Sequence, residues 1–394
     1  MKIVISPDSF KESLSAMEIA IEIEAGFQEI FPHAEYLKVP AADGGEGTVD
    51  AMIAATSGKR IDVTVSGPRG EPVQAYYGLL GNDGTAVIEM ASASGLALVP
   101  ANMRNPLKTS SYGTGEMIRS ALDAGARRLI LGIGGSATND GGAGMLQALG
   151  VHLRDADGNE IGSGGAELAR LASIDASSLD HRLKNCEIHV ACDVDNPLTG
   201  PTGASAIFGP QKGATPEMVK QLDDNLRHYA EIIARDLGHR VDTIPGAGAA
   251  GGMGAAMLAF LNGRLRPGSE IVTEAIGLET TLIDADLVIT GEGRIDSQSI
   301  RGKTPIGVAR VAQVYGIPVI GIAGCLSPDA AIVHHHGIDA VFCAVRKACT
   351  VEEALQDAAF NVRSAARNIA AALRIGMQMG AEDRKRKTKR QAVV

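Results

Sequence analysis

Between Leu287 and Val308 the chain reads LVITGEGRIDSQSIRGKTPIGV, and within it Glu292, Arg294, Asp296, Gln298, Ser299, Arg301 and Lys303 crowd together among glycines. Carboxylates alternating with guanidinium and ammonium groups suit phosphoryl chemistry. Lys303 can neutralise a phosphate, and Asp296 can hold a cation or take a proton. Backbone amides in a loop opening at Gly291 and Gly293, with the N-terminus of the helix after it, can bind an anion. The spacing is not that of a Walker A loop. Gly302, Lys303 and Thr304 match its second half, but Ser297 stands where its first glycine is required. The plainer alternative is a strand-to-helix turn carrying solvated charges.

Further loops carry the same kinds of residue. PDSFK places Asp8, Ser9 and Lys11 just after the strand-like KIVIS, and PAADGGEGT sets Asp43 and Glu46 between glycines, where they can meet a cation or substrate hydroxyls, or simply turn the chain. GIGGSATNDGGAG, from Gly132, offers Gly134, Gly135, Ser136, Asn139 and Asp140. CDVDN ends an apolar run with Asp193, Asp195 and Asn196, hard oxygen ligands of the kind Mg²⁺ accepts, and Gln211 and Lys212 precede a long helix. Gly132, Gly134 and Ala137 also satisfy the loose dinucleotide fingerprint, and Asp155 lies near the distance expected of a ribose-binding acid. An NAD-dependent oxidoreductase of a small hydroxy acid is therefore the alternative reading. Against it, Asn139 to Gly142 are polar and flexible where the fingerprint's helix should already be running.

The elements that must hold these loops alternate as short apolar strands and amphipathic helices. Lys2 to Ser6, Tyr36 to Val39, Leu287 to Thr290, and the runs ending at Gly324 and Val345 read as strands. Ile19, Ile23, Phe27 and Ile30 recur at helical spacing behind a cap at Ser13 or Ser15, and Pro305 opens another helix. From Arg60 to Met90 the texture changes to alternating antiparallel strands, which puts a domain boundary near residue 63. GAGAAGGMG, from Gly246, opens a small-residue helix whose glycines serve either tight packing or phosphate approach.

With 394 residues, 45% hydrophobic and 21% charged, the chain is an ordinary globular composition of two domains, apart from its 48 glycines. No tryptophan, 3% aromatic residues and a net charge of −9 exclude a nucleic-acid stacking surface. No run has the make-up of a signal peptide or a membrane span, so a cytoplasmic protein with no membrane partner is expected. The five cysteines are expected to be buried free thiols, and His334 to His336 surface residues. The EDRKRKTKRQ tail is expected to be disordered.

Seven segments, PDSFK, PAADGGEGT, GIGGSATNDGGAG, CDVDNPLTGPTGA, FGPQKGA, PGAGAAGGMGAA and DLVITGEGRIDSQSIRGKTPIGVA, together resemble the bacterial-type glycerate kinase family in order and over nearly the whole chain. The resemblance implies an α/β protein in which a Rossmann-like parallel-sheet domain is formed by both chain ends, 1–62 plus 283–375, with a second α/β domain, 63–282, inserted and a basic tail, 376–394, outside. It further implies ATP and Mg²⁺, glycerate as the acceptor and 2-phosphoglycerate as the product. A homodimer is compatible with it. On this reading Asp296, Asp193 and Lys303 are catalytic, with Asp193 and Asp296 also the metal carboxylates. Asp8, Ser9, Lys11, Asp43, Gly134, Gly135, Ser136, Asn139, Asp140, Lys212, Gly291, Glu292 and Arg294 bind substrate or ATP.

Overall fold

The computed structural model describes residues 1–391. Its strands are β1 (Lys2–Ile5), β2 (Glu35–Lys38), β3 (Lys59–Ser66), β4 (Pro72–Leu79), β5 (Ala86–Glu89), β6 (Arg128–Gly132), β7 (His152–Arg154), β8 (Ser173–Asp175), β9 (Glu187–Ala191), β10 (Arg264–Arg266), β11 (Leu287–Ile295), β12 (Val319–Leu326) and β13 (Ala340–Cys343). The chain forms two compact units, one of residues 1–42 with 273–394 and the other of residues 43–272.

The first unit is built on a fully parallel sheet of order β13-β12-β11-β1-β2, so strands from the two chain ends lie side by side. Near-continuous Val and Ile runs suit strands covered on both faces. Ile3, Ile5, Ile289 and Ile322 pack with Ile19, Ile23 and Phe27 of the helix Ala16–Gln28 and with Val362, Ala366 and Ile369 of the helix Ala358–Gln391. Ser15 is the cap of the first of these helices: its hydroxyl accepts the Glu18 amide, and the Glu18 carboxylate accepts the Ser15 amide in return. The two helices approach so closely that a Cβ on Gly26 would stand 2.4 Å from the Arg363 carbonyl oxygen.

The second unit holds a mixed sheet of order β10-β9-β6-β5-β4-β3. Strands β10, β9, β6 and β5 are parallel, and β4 and β3 are antiparallel, as the alternating texture after Arg60 predicts. The registers align Glu89, Gly132, Ala191 and Arg266 across the carboxyl ends of the four parallel strands. Every loop that leaves this edge therefore starts from one row of residues.

The sequence and the structure differ at several points. β11 does not stop at Gly291 but continues to Ile295, because Glu292 and Arg294 keep pairing with Ala323 and Cys325 of β12. The unit boundaries fall at 42/43 and 272/273, since the helix Thr48–Thr56 and β3 pack with β4 and β5 of the second unit instead of following the first. The helix Ala358–Gln391 carries on through most of 376–394, where disorder is expected. Its Ala, Lys, Arg and Glu residues are strong helix formers extending a helix already anchored at its start. Residues 392–394 lie outside the described residues. The five cysteines are free, but none is fully buried, and Cys325 and Cys343 are exposed near the ends of their strands.

Candidate active site

In the first unit the expected residues gather at the carboxyl ends of β1 and β11. Asp8 is held there by its own amide, which donates to the Gly291 carbonyl at 2.8 Å. Its Oδ1 accepts the Ser9 amide at 2.6 Å, and its Oδ2 accepts the Thr304 hydroxyl at 2.6 Å. Thr304 is the first residue of the helix Thr304–Val314, with Pro305 in its first turn as the sequence predicts. Glu292, 7% exposed, points from β11 into the same group: its Oε1 accepts the Ser299 hydroxyl at 2.5 Å and its Oε2 lies 3.2 Å from Lys303 Nζ. Glu292 thus orients Lys303, which remains partly exposed at 30% of its side chain.

Asp296 follows the end of β11. Its amide donates to Ser299 Oγ, its Oδ1 accepts the Gln298 amide at 2.8 Å, and its Oδ2 stands 3.4 Å from Arg294 Nε. Arg294 is exposed and also donates to Ser327 Oγ. Lys11 is exposed in the turn after Phe10, its backbone near Gly293. This unit brings together Asp8, Ser9, Gly291, Glu292, Arg294, Asp296 and Lys303, and adds Thr304 and Ser299. The GKT portion of the incomplete Walker pattern was the available signal for Thr304.

In the second unit the loops rise from the aligned carboxyl edge. The Asp43–Gly47 loop is seated on it with no room to spare. Gly44, at φ +88°, would place a Cβ 2.4 Å from the Ala191 Cβ, and a Cβ on Gly132 would stand 2.4 Å from the Gly44 carbonyl oxygen. Asp43 Oδ1 accepts the Gly45 amide at 3.0 Å. Asp193, two residues beyond β9, accepts the Gly268 amide at 3.1 Å on Oδ1. It is open to solvent along one side. Desolvation by the protein packed around it nevertheless pushes its carboxyl up to about 7, the charges of Asp43 and Glu270 adding to the effect.

Gly134 and Gly135 present exposed backbone after β6, and Ser136 and Asn139 turn inward behind them. Lys212 is 1% exposed and donates to Ser136 Oγ at 2.8 Å and to the Thr138 carbonyl at 2.6 Å. Burial pulls its ammonium down to about 7, and the nearby Asp140 works in the opposite direction. Asn139 donates to Ser205 Oγ, while its Oδ1 is buried without a hydrogen-bond partner.

Asp140 faces the core. Its oxygens accept the Ser111 amide and hydroxyl and the amides of Gly142 and Gly144, which fasten the starts of two helices, Tyr112–Asp123 and Ala143–Ala148. Burial pushes its carboxyl up, and those donors oppose the shift. It frames the loop from inside.

The dinucleotide alternative loses its geometry. The helix expected at Ala137 begins only at Ala143, and Asp155 spends its carboxylate on the amides of Asp157 and Asn159 and on Arg170. The Gly246–Gly254 run serves packing: a Cβ on Gly251 would stand 2.1 Å from the Thr138 carbonyl oxygen, and the Gly141 amide donates to the Gly251 carbonyl. Among the described residues no group of three His, Cys, Asp or Glu side chains is arranged to hold a metal, and no helix is long and apolar enough to cross a membrane.

Residues 3–374 match the family model described as the glycerate kinase family. The chain is 62% identical over 378 residues to the glycerate 2-kinase of Escherichia coli K12, spanning 96% of this chain and 99% of that one. It is 58% identical to the glycerate kinase of Bacillus subtilis 168, over 96% and 99% of the two chains. A crystal structure assigned provisionally as glycerate kinase 2 of Salmonella typhimurium LT2 superposes with a TM-score of 0.89 at 62% identity, covering 96% of this chain and 99% of that chain.

Proposed function

The chain belongs to the glycerate kinase family, and we infer that it transfers the γ-phosphoryl group of ATP to the 2-hydroxyl of glycerate, giving 2-phosphoglycerate. One observation carries this reading: the 62% identity to a protein named glycerate 2-kinase extends over 96% of the chain.

Phosphoryl transfer asks for positioned reactants, neutralised charge and a base at the accepting hydroxyl. Lys303, Lys212, Arg294 and Lys11 are assigned to the phosphates and the glycerate carboxylate. The exposed amides of Gly134 and Gly135 and the start of the helix Thr304–Val314 suit phosphate oxygens. A phosphate beside Lys212 would return its ammonium to the charged form that burial disfavours. Asp43 and Asn139 Oδ1 are acceptors suited to hydroxyl groups.

Asp296 takes the proton of the attacking hydroxyl. Its support is positional: it sits at the end of a buried strand, is fixed by Ser299 and Gln298, and is only 15% exposed in its side chain. A second reading gives that proton to Asp193, favoured by its open side at the end of β9 together with a carboxyl near 7, the range that suits a base at neutral pH. Mg²⁺ arriving with ATP would supply charge neutralisation on the phosphates. Asp296 in the first unit and Asp193 in the second are each proposed as a carboxylate that would hold it, since a hard carboxylate oxygen fits an ion that completes its shell with phosphate and water.

The test is ADP release in a coupled assay over a panel of small hydroxy acids, with phosphorus NMR of the product or coupling through enolase without added mutase. Glycerate-dependent ADP release with 2-phosphoglycerate as product is expected. Absence of ADP release, or 3-phosphoglycerate alone, would overturn the reading.

A further inference from the structure

Glu89, the last residue of β5, falls outside every motif considered so far. It is 8% exposed, and its Oε1 accepts the amide of Val49 at 2.8 Å, with the Gly47 amide also donating to the carboxylate. These amides open the helix Thr48–Thr56, whose own cap residue, Gly47 at φ +90°, has no side chain to do the work. Glu89 therefore caps this helix from 40 residues away. It does so from the row that also contains Gly132 and Ala191, the residues against which Gly44 is wedged.

We propose that Glu89 is a positioning residue for phosphoryl transfer, holding the Asp43–Gly47 loop on the carboxyl edge of the second sheet so that Asp43 stays beside Asp193. The loop sits on glycine contacts at one end and on the Glu89 carboxylate at the other. Losing either end leaves Asp43 on a freely turning Asp-Gly-Gly segment. The carboxylate occupies this place at a cost. Burial pushes its carboxyl up to about 7, with the two amides opposing and the charges of Asp50 and Glu46 adding; Tyr76 of β4 feels Glu89 in turn. A residue needed only to fill space would not be a glutamate among like charges.

The inference rests on the kinase reading, and its test separates the two. Glu89→Gln keeps the length but turns an NH₂ toward one of the amides, and Glu89→Asp keeps the charge but shortens the reach. Steady-state kinetics with saturating glycerate and MgATP are measured alongside circular-dichroism melting. A positioning role predicts that kcat falls about fivefold or more in both folded variants while KM for ATP stays within about twofold, because misplacing a contributing group costs turnover before it costs nucleotide binding. A merely structural cap predicts a lower melting temperature with kcat unchanged. Either folded variant with wild-type kcat overturns the proposal. Wild-type protein that releases no ADP with glycerate overturns the kinase reading instead.

Discussion

Thr304 donates its hydroxyl to Asp8 across 2.6 Å, linking residues 296 positions apart in the chain. The bond joins the loop after β1 to the first turn of the helix after β11, and both loops carry proposed substrate contacts. Removing it tests whether their mutual placement matters. Thr304→Val is isosteric and should cost about 1 kcal/mol, because a partly buried carboxylate loses a donor, and should lower kcat along with the melting temperature. Differential scanning calorimetry with parallel kinetics checks this, and unchanged values of both would show the bond to be dispensable.

Asp296→Asn should keep the fold, since the Ser299 and Gln298 contacts can persist, and lose roughly 10² or more in kcat if Asp296 is the base. Near-normal turnover in that variant, with Asp193→Asn inactive, would transfer the role to Asp193.

Asp193 also leaves a thermal signature. Its folded carboxyl lies near 7 against an ordinary 3.8, so its contribution to stability is complete below about 3.8 and is lost as pH rises to about 7. Melting curves without nucleotide should show Asp193→Asn gaining on the wild type across that interval. A constant difference between the two proteins would contradict the shift.

Lys212 runs the other way. With its ammonium pulled down to about 7 from 10.5, the folded state binds fewer protons than the unfolded chain between those values, so stability attributable to it rises with pH there. The melting temperature of wild type minus that of Lys212→Met should increase from about pH 7 to 10. The same variant should lose most of its turnover if Lys212 neutralises phosphate.

Gly268→Ala probes the Asp43 loop from the far side. A Cβ at that position would lie 1.7 Å from the Asp43 carbonyl oxygen, and the Gly268 amide is the donor to Asp193. Both carboxylates should be displaced, with kcat falling by about tenfold or more. A fully active variant would show that the loop can move without consequence.

Much of this could be read from the chain. The strand and helix rhythm of the first unit, Ser15 among the two candidate caps, Pro305 in a first turn and the carboxylates and lysines of the loops are local patterns, and they stand where local chemistry puts them. What escaped depends on distant partners. Glu89 ends an ordinary apolar strand, and nothing near it in sequence announces the amides it meets at Gly47 and Val49. Asp140 has the neighbours of a ligand-binding residue, yet Ser111 draws it into the core. The two glycines of β11 read as a break because glycine weakens an isolated strand, whereas pairing with β12 carries the strand through them.

The position of β1, between β2 and β11, sets an order on biosynthesis. A ribosome that has released residues 1–272 has delivered every strand of the mixed sheet but only two of the five in the parallel one. At about 5–20 residues per second, β1 and β2 therefore wait on the order of ten seconds or more for β11. The unit begun first is completed last, and through that interval its Val- and Ile-rich first strand is a natural client for a chaperone.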